Sequence, residues 1–176
     1  ESELLALPPS PERSAALADV RVFQAIRAFD VVNVAEARAR AREMLELVQE
    51  SGVDETAMEI TRLDAEHFLA LADALDGDVG GGLGRMIALS REARDARFES
   101  TGVTNYRITA DVAVRFMDYA TCRVGTAEGL RYADEIEQSY CRHILAGTSA
   151  HLAWTEGRWD DAISTAAIEV VEPGSR

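Results

Sequence analysis

The string Gly157-Arg158-Trp159-Asp160-Asp161-Ala162 constrains this chain more than any other, because its residue types are those of a turn between two helices. Gly157 can close a helix in the left-handed conformation that a Cβ penalises. Trp159 is expected as an aromatic plug between the two helices, and Ala162 is small enough to let them approach. Asp160 and Asp161 place negative charge on the first turn of the following helix, where the backbone dipole favours it. Weaker echoes stand upstream, where a small residue precedes an aliphatic one or an arginine: Ala37-Arg38, Gly82-Leu83 and Gly129-Leu130. Measured to Ala162, the intervals are 45, 47 and 33 residues. A recurring hairpin turn marks a repeat array.

Start and stop signals predict about eight helices and no strand. Ser10-Pro11 is an N-cap with proline at the first helical position, opening a helix that runs to Phe29. Asn33 and Glu36 form a capping box for a helix ending near Glu50, with Gly52 as its stop. Asp54 caps a long helix to about Leu75, and Gly77-Asp78 turns the chain into another that reaches about Glu99 and is closed by Gly102. Thr104 caps the next, ending near Arg123, and Gly125-Thr126 opens a shorter one. A break around Ile136 to Ser139 leads to a helix ending at Glu156; the last runs from Asp160 to Val171, with Pro173 as its stop. Short connections force antiparallel neighbours. The expected fold is all-α: a right-handed array of antiparallel, tetratricopeptide-like helical hairpins. It would form a single domain over residues 1–176, cut from a longer chain, with hairpins near 11–50, 54–99, 104–136 and 138–171.

Composition narrows the function classes. A formal net charge of −13 weighs against nucleic acid as a direct partner. The arginines from Arg38 to Arg42 alternate with Glu36, Glu43 and Glu46 at helical spacing, which reads as a solvated face. All 18 basic residues are arginine, so no Walker A lysine exists. The glycines Gly80, Gly81, Gly82 and Gly84 follow a helix rather than the strand a nucleotide fingerprint needs, and suit close helix packing. Cys122 and Cys141 make neither a disulfide framework nor a zinc site, and a reduced, cytoplasmic setting is expected. No apolar run reaches the roughly 18 residues of a membrane span. His143 and His151 lie about 12 Å apart along a helix, too far to share a metal, and Glu66 and His67 diverge as adjacent helical residues. No Gly-x-Ser-x-Gly nucleophile string occurs. No catalytic residue, metal or cofactor is expected.

From Gly77-Asp78-Val79 to Glu172-Pro173-Gly174-Ser175, the order of features resembles the helical-repeat region of large LuxR-type transcriptional regulators. Gly82-Leu83 matches in the first turn, with Tyr106 in the helix after it. Glu128-Gly129-Leu130 matches in the second, followed by Tyr132-Ala133-Asp134-Glu135, and Gly157 to Ala162 in the third, with the Pro-Gly linker behind it. The resemblance covers roughly the last hundred residues. It implies a parent protein with an ATPase module before the repeats and a helix-turn-helix after them. Neither module is in this chain, and the 33-residue interval is short for the family.

In such an array the first helix of each hairpin lines the inner face. A register drawn back from Ala162 places Thr148, His151, Trp154 and Thr155 there; one drawn from Gly129 adds Asp111, Arg115, Asp118 and Thr121. It puts Ala113, Phe116, Met117 and Ala120 in the core. The candidate ligand or partner groove is therefore Asp111, Arg115, Asp118, His151 and Trp154. Gly82, Gly129, Gly157, Trp159 and Ala162 are candidate packing residues. The function expected is a non-catalytic interaction and sensing module within a LuxR-type regulator. It would bind a protein, a peptide or a small effector and signal to neighbouring domains, with no direct nucleic acid or membrane contact; self-association stays open. The alternatives are a scaffold or peptide-binding repeat unrelated to transcription, and a helical enzyme using acidic residues with a divalent metal.

Overall fold

The computed structural model describes residues 2–8, 10–49 and 54–171. Within them the chain is all-helical: α1 (Ser2–Ala6), α2 (Pro11–Asp30), α3 (Val34–Val48), α4 (Glu55–Leu75), α5 (Val79–Asp95), α6 (Glu99–Arg115), α7 (Tyr119–Glu135), α8 (Ser139–Thr155) and α9 (Trp159–Val171). The helix stops expected at Gly52 and Pro173, the end near Glu50 and the Pro-Gly linker lie outside the described residues. The chain divides into two compact units, Glu1–Arg85 and Met86–Arg176. In the first, α2 packs on α3 and α4, and α3 on α4; in the second, α6 packs on α7 and α8, α7 on α8, and α8 on α9. Successive neighbours joined by tight turns within each unit fit the expected all-α class.

Three of the caps read from the sequence form as expected. The Ser10 hydroxyl accepts from the Arg13 N–H at 3.2 Å, ahead of Pro11. Asn33 accepts from the Glu36 N–H at 3.2 Å while its amide donates to the Glu36 carboxylate at 3.0 Å. Asp54 accepts from the Ala57 N–H at 3.0 Å. These bonds satisfy N–H groups that the first turn of a helix leaves without partners.

The helix ends follow a stricter rule than the glycines suggested. Left-handed residues stand at Gly77, Arg97, Met117, Glu137 and Gly157, 20 residues apart each time. At each, two backbone bonds close the helix in a Schellman arrangement, as where the Arg158 N–H donates to the Ala153 carbonyl and Gly157 to Trp154. Helices α5 to α8 are all 17 residues long. The hairpin period is therefore 40 residues from Gly77 onward, and the small buried residues Ala37, Gly82, Cys122 and Ala162 are the true equivalents.

Four expectations change accordingly. Gly102 and Thr104 lie inside α6, and Gly125 and Gly129 inside α7, so none of them ends or begins a helix. These glycines provide closeness instead of a stop. A Cβ on Gly102 would sit 3.0 Å from the Tyr132 ring, and one on Gly129 would sit 2.9 Å from Tyr106 Cβ and 3.0 Å from Leu145. Gly82 is a packing residue as expected: its Cβ would come 2.6 Å from the Ala70 carbonyl oxygen. Met117 and Ala120 are exposed, because Met117 occupies the left-handed turn position; Ala113 is buried and Phe116 half-buried.

The first unit's core joins Ala25 of α2, Ala41 and Met44 of α3, and Ala65 and Phe68 of α4, with Phe29 and Phe68 centroids 5.8 Å apart. The second unit's joins Ile87, Val103, Tyr106, Tyr132, Ala133 and Cys141. Its two tyrosine rings meet edge-on at 6.5 Å, the arrangement aromatic quadrupoles favour.

Candidate functional site

In the second unit α6 and α8 are neighbours, as the first helices of successive hairpins should be. Their turns fix an offset of 40 residues, which puts Asp111 and His151 at one register position. On α6 the side left partly or fully open to solvent carries Ser100, Thr104, Arg107, Asp111 and Arg115. On α8 the matching side carries Tyr140, Ile144, Gly147, His151 and Thr155.

Arg115 donates to Asp111 at 2.9 Å across one helical turn. Arg115 is 72 % exposed, so this pair stabilises by well under 1 kcal/mol and can open to a ligand at little expense. Arg107 differs. It is half-buried, and its Nε is shielded from solvent without a hydrogen-bond partner. A guanidinium N–H so placed lacks the acceptor that normally offsets its loss of water. Its register partner on α8 is Gly147, where a Cβ would meet nothing within 4 Å, so the space there is open. Tyr140 is 66 % exposed, and the His151 ring lies 6.3 Å from that of Trp154. The face thus offers a cationic donor, an easily opened ion pair and aromatic surface.

Of the five expected groove residues, Asp111, Arg115 and His151 share this face. Asp118 does not: it is the N-cap of α7, accepting from the Thr121 N–H and hydroxyl, both at 3.0 Å. Trp154 is exposed on α8, but its equivalent in α6 is Val114, which is buried where α6 has α8 beside it. By that register Trp154 borders the face. Thr148 is buried and Thr155 donates to the Leu152 carbonyl at 2.8 Å, so neither hydroxyl is offered outward. Arg107 was missed because the 33- and 47-residue spacings hid its relation to Gly147.

Among the packing residues, Gly157 turns the chain at φ 76° and Ala162 is buried. Trp159 is not a plug. It is the first residue of α9 and is 64 % exposed.

Behind the face lies a polar network of structural character. The Tyr106 hydroxyl donates to Glu128 at 2.8 Å, and Arg91 grips both oxygens of that carboxylate at 2.9 and 2.6 Å. Arg94 reaches the Tyr106 oxygen at 3.3 Å. Arg91, with Tyr106, holds the Glu128 carboxyl down at about 2. Burial, then Glu128, pushes the Tyr106 phenol above its ordinary range. A phenol so disfavoured as an anion is a hydrogen-bond donor and not a base.

Cys122 and Cys141 are buried free thiols, and burial pushes Cys122 up to about 11, away from thiolate chemistry. Among the described residues no group of three or more His, Cys, Asp or Glu side chains is arranged to hold a metal ion. No helix there is long and apolar enough to cross a membrane. Comparison with known proteins returned no match to any family model, curated protein or solved structure.

Proposed function

We propose that this chain is a non-catalytic interaction and effector-sensing module. Its α6–α8 face receives a peptide segment or small effector that carries a carboxylate or other anionic group. The carrying observation is Arg107, a half-buried guanidinium whose shielded Nε lacks an acceptor, at the register position that on the neighbouring α8 is the open space of Gly147. An anionic group there supplies the missing acceptor in a charge-assisted bond. The exposed Tyr140 and His151 would stack on an apolar or aromatic portion of the same ligand.

The likeness of the Gly157–Ala162 turn supports placing the module within a LuxR-type transcriptional regulator whose other domains read its occupancy, and the two free cysteines support a reduced, cytoplasmic setting. The reading frame on either side tests that placement. An ATPase module upstream and a helix-turn-helix downstream are expected, and their absence would leave a binding repeat unconnected with transcription.

The face itself is tested by panning a random peptide library on the chain and measuring the selected peptides by calorimetry. Acidic, aromatic-containing peptides should emerge, and Arg107→Ala should weaken them about tenfold, the effect of one charge-assisted hydrogen bond. Selected peptides indifferent to Arg107→Ala would remove the site from this face.

A further inference from the structure

The last turn of α5, the turn at Arg97 and the last turn of α7 border a cleft of about 380 Å³. None of its lining residues belongs to the α6–α8 face. One of them, Tyr132, is only 5 % exposed, and its ring is seated against Gly102, where a Cβ would come 3.0 Å from it. The Tyr132 hydroxyl is shielded from solvent and makes no hydrogen bond. The neighbouring phenol shows the usual arrangement, since Tyr106 donates to Glu128 at 2.8 Å. A buried hydroxyl without an acceptor has lost its water and gained nothing in return. Packing does not account for it, because phenylalanine would fill the same space.

The charges of the cleft converge on this hydroxyl. Burial pushes the Tyr132 phenol above its ordinary range, Glu99 and Glu135 add to the shift, and Arg94 and Arg97 oppose it. All four line the cleft. Arg94 is already engaged, donating twice to Asp95 at 2.9 and 2.8 Å. Arg97, Glu99 and Glu135 are exposed, and among the described residues none of the three forms an ion pair or a side-chain hydrogen bond. Opposite charges therefore border one opening without closing on each other. At the turn 40 residues on, Glu137 and Ser139 stand where Arg97 and Glu99 stand here, so the arrangement is no by-product of the repeat.

A lone anion in this cleft would meet two carboxylates, and a lone cation would meet Arg97. A ligand that carries both signs satisfies all three groups. We propose that the cleft binds a free α-amino acid, its carboxylate taken by Arg97 and the Tyr132 O–H and its ammonium by Glu99 and Glu135. Charge-assisted bonds of this kind are the strong ones, and here they give the orphaned phenol its acceptor. The volume suits a small polar molecule and is at the low end for ligand sites. Ile136 supplies apolar wall for the ligand's own side chain. This site is independent of the anion-accepting face on α6 and α8.

Calorimetry on the whole chain tests this with the free L-amino acids as probes, and with the N-acetyl and carboxamide derivatives of any that bind. At least one free amino acid should bind, and removing either of its charges should weaken it by about tenfold or more. Tyr132→Phe is the discriminating variant. It loses no hydrogen bond of the unliganded protein, so it should melt no lower than wild type while binding falls about five- to tenfold. Arg97→Gln and Glu135→Gln, both at exposed positions, should fold as wild type does and bind more weakly still. Failure of every free amino acid to bind at millimolar concentration would overturn the proposal. So would binding that survives capping of either charge, or binding that Tyr132→Phe leaves unchanged.

Discussion

Asp64 in the first unit and Glu128 in the second are both carboxylates set low on a helix, but their surroundings treat the charge in opposite ways. Glu128 has Arg91 across both oxygens and Arg94 and Tyr106 close by, and is held down at about 2. Asp64 is pushed up to about 6 by burial first and by the charge of Asp19 second. A carboxylate near a core is stabilising only when donors and cations replace the water it has lost. The second unit meets that condition and the first does not. Their charged groups should therefore push stability in opposite directions as pH changes.

Glu128→Gln should have the largest effect. The shape is nearly kept, but Arg91 and Arg94 lose their counter-charge, and we expect a loss of about 2 kcal/mol near neutral pH in urea denaturation. A depressed carboxyl stabilises the fold above its unfolded value and ceases to as pH falls through its folded value. The difference from wild type should thus be constant above about pH 5 and shrink between about 4.5 and 2.

Asp64→Asn should go the other way. A raised carboxyl carries no penalty below its unfolded value; the penalty grows as pH rises from there and is complete above its folded value. The substitution should stabilise by about 1–2 kcal/mol at pH 7.5, with the gain gone below about pH 4, in the same denaturation series. Equal responses of both variants to pH would abolish the contrast between the units.

The smallest effect is expected at Met117, which is 72 % exposed and left-handed at φ 58°. Glycine there relieves the Cβ strain but adds freedom to the unfolded chain, for a net gain of about 0.5–1 kcal/mol in thermal melts. The same replacement at Ala113, buried and inside α6, should instead destabilise.

That last contrast also explains which features the sequence made legible. Ser10-Pro11, Asn33 with Glu36, Asp54 and Gly77-Asp78 carry their turn chemistry in their side chains, so those boundaries could be read directly. The turns at Arg97, Met117 and Glu137 carry none, because ordinary residues occupy a conformation usually left to glycine. Glycine meanwhile sits at 102, 125 and 129 inside helices, where it lets side chains from neighbouring helices approach. Reading glycine as punctuation displaced the period, and the displaced period misassigned Asp118 and concealed Arg107. Asp111 and His151 still fall on one face, because the register error at Gly129, measured against Cys122, is about two whole helical turns.

The even spacing of the left-handed residues, from Gly77 to Gly157, sets what lengths of insertion or deletion this chain can absorb. Removing residues 99–138 would join α5 to α8, an outer helix to an inner one, as α5 is now joined to α6. Removing half as much, 99–118, would join α5 to α7 and put an outer helix where an inner one belongs. Such a chain can therefore gain whole hairpins with the face proposed for a ligand kept on one side, whereas the loss of 99–138 takes Arg107 with it. A change of one helix turns that face over.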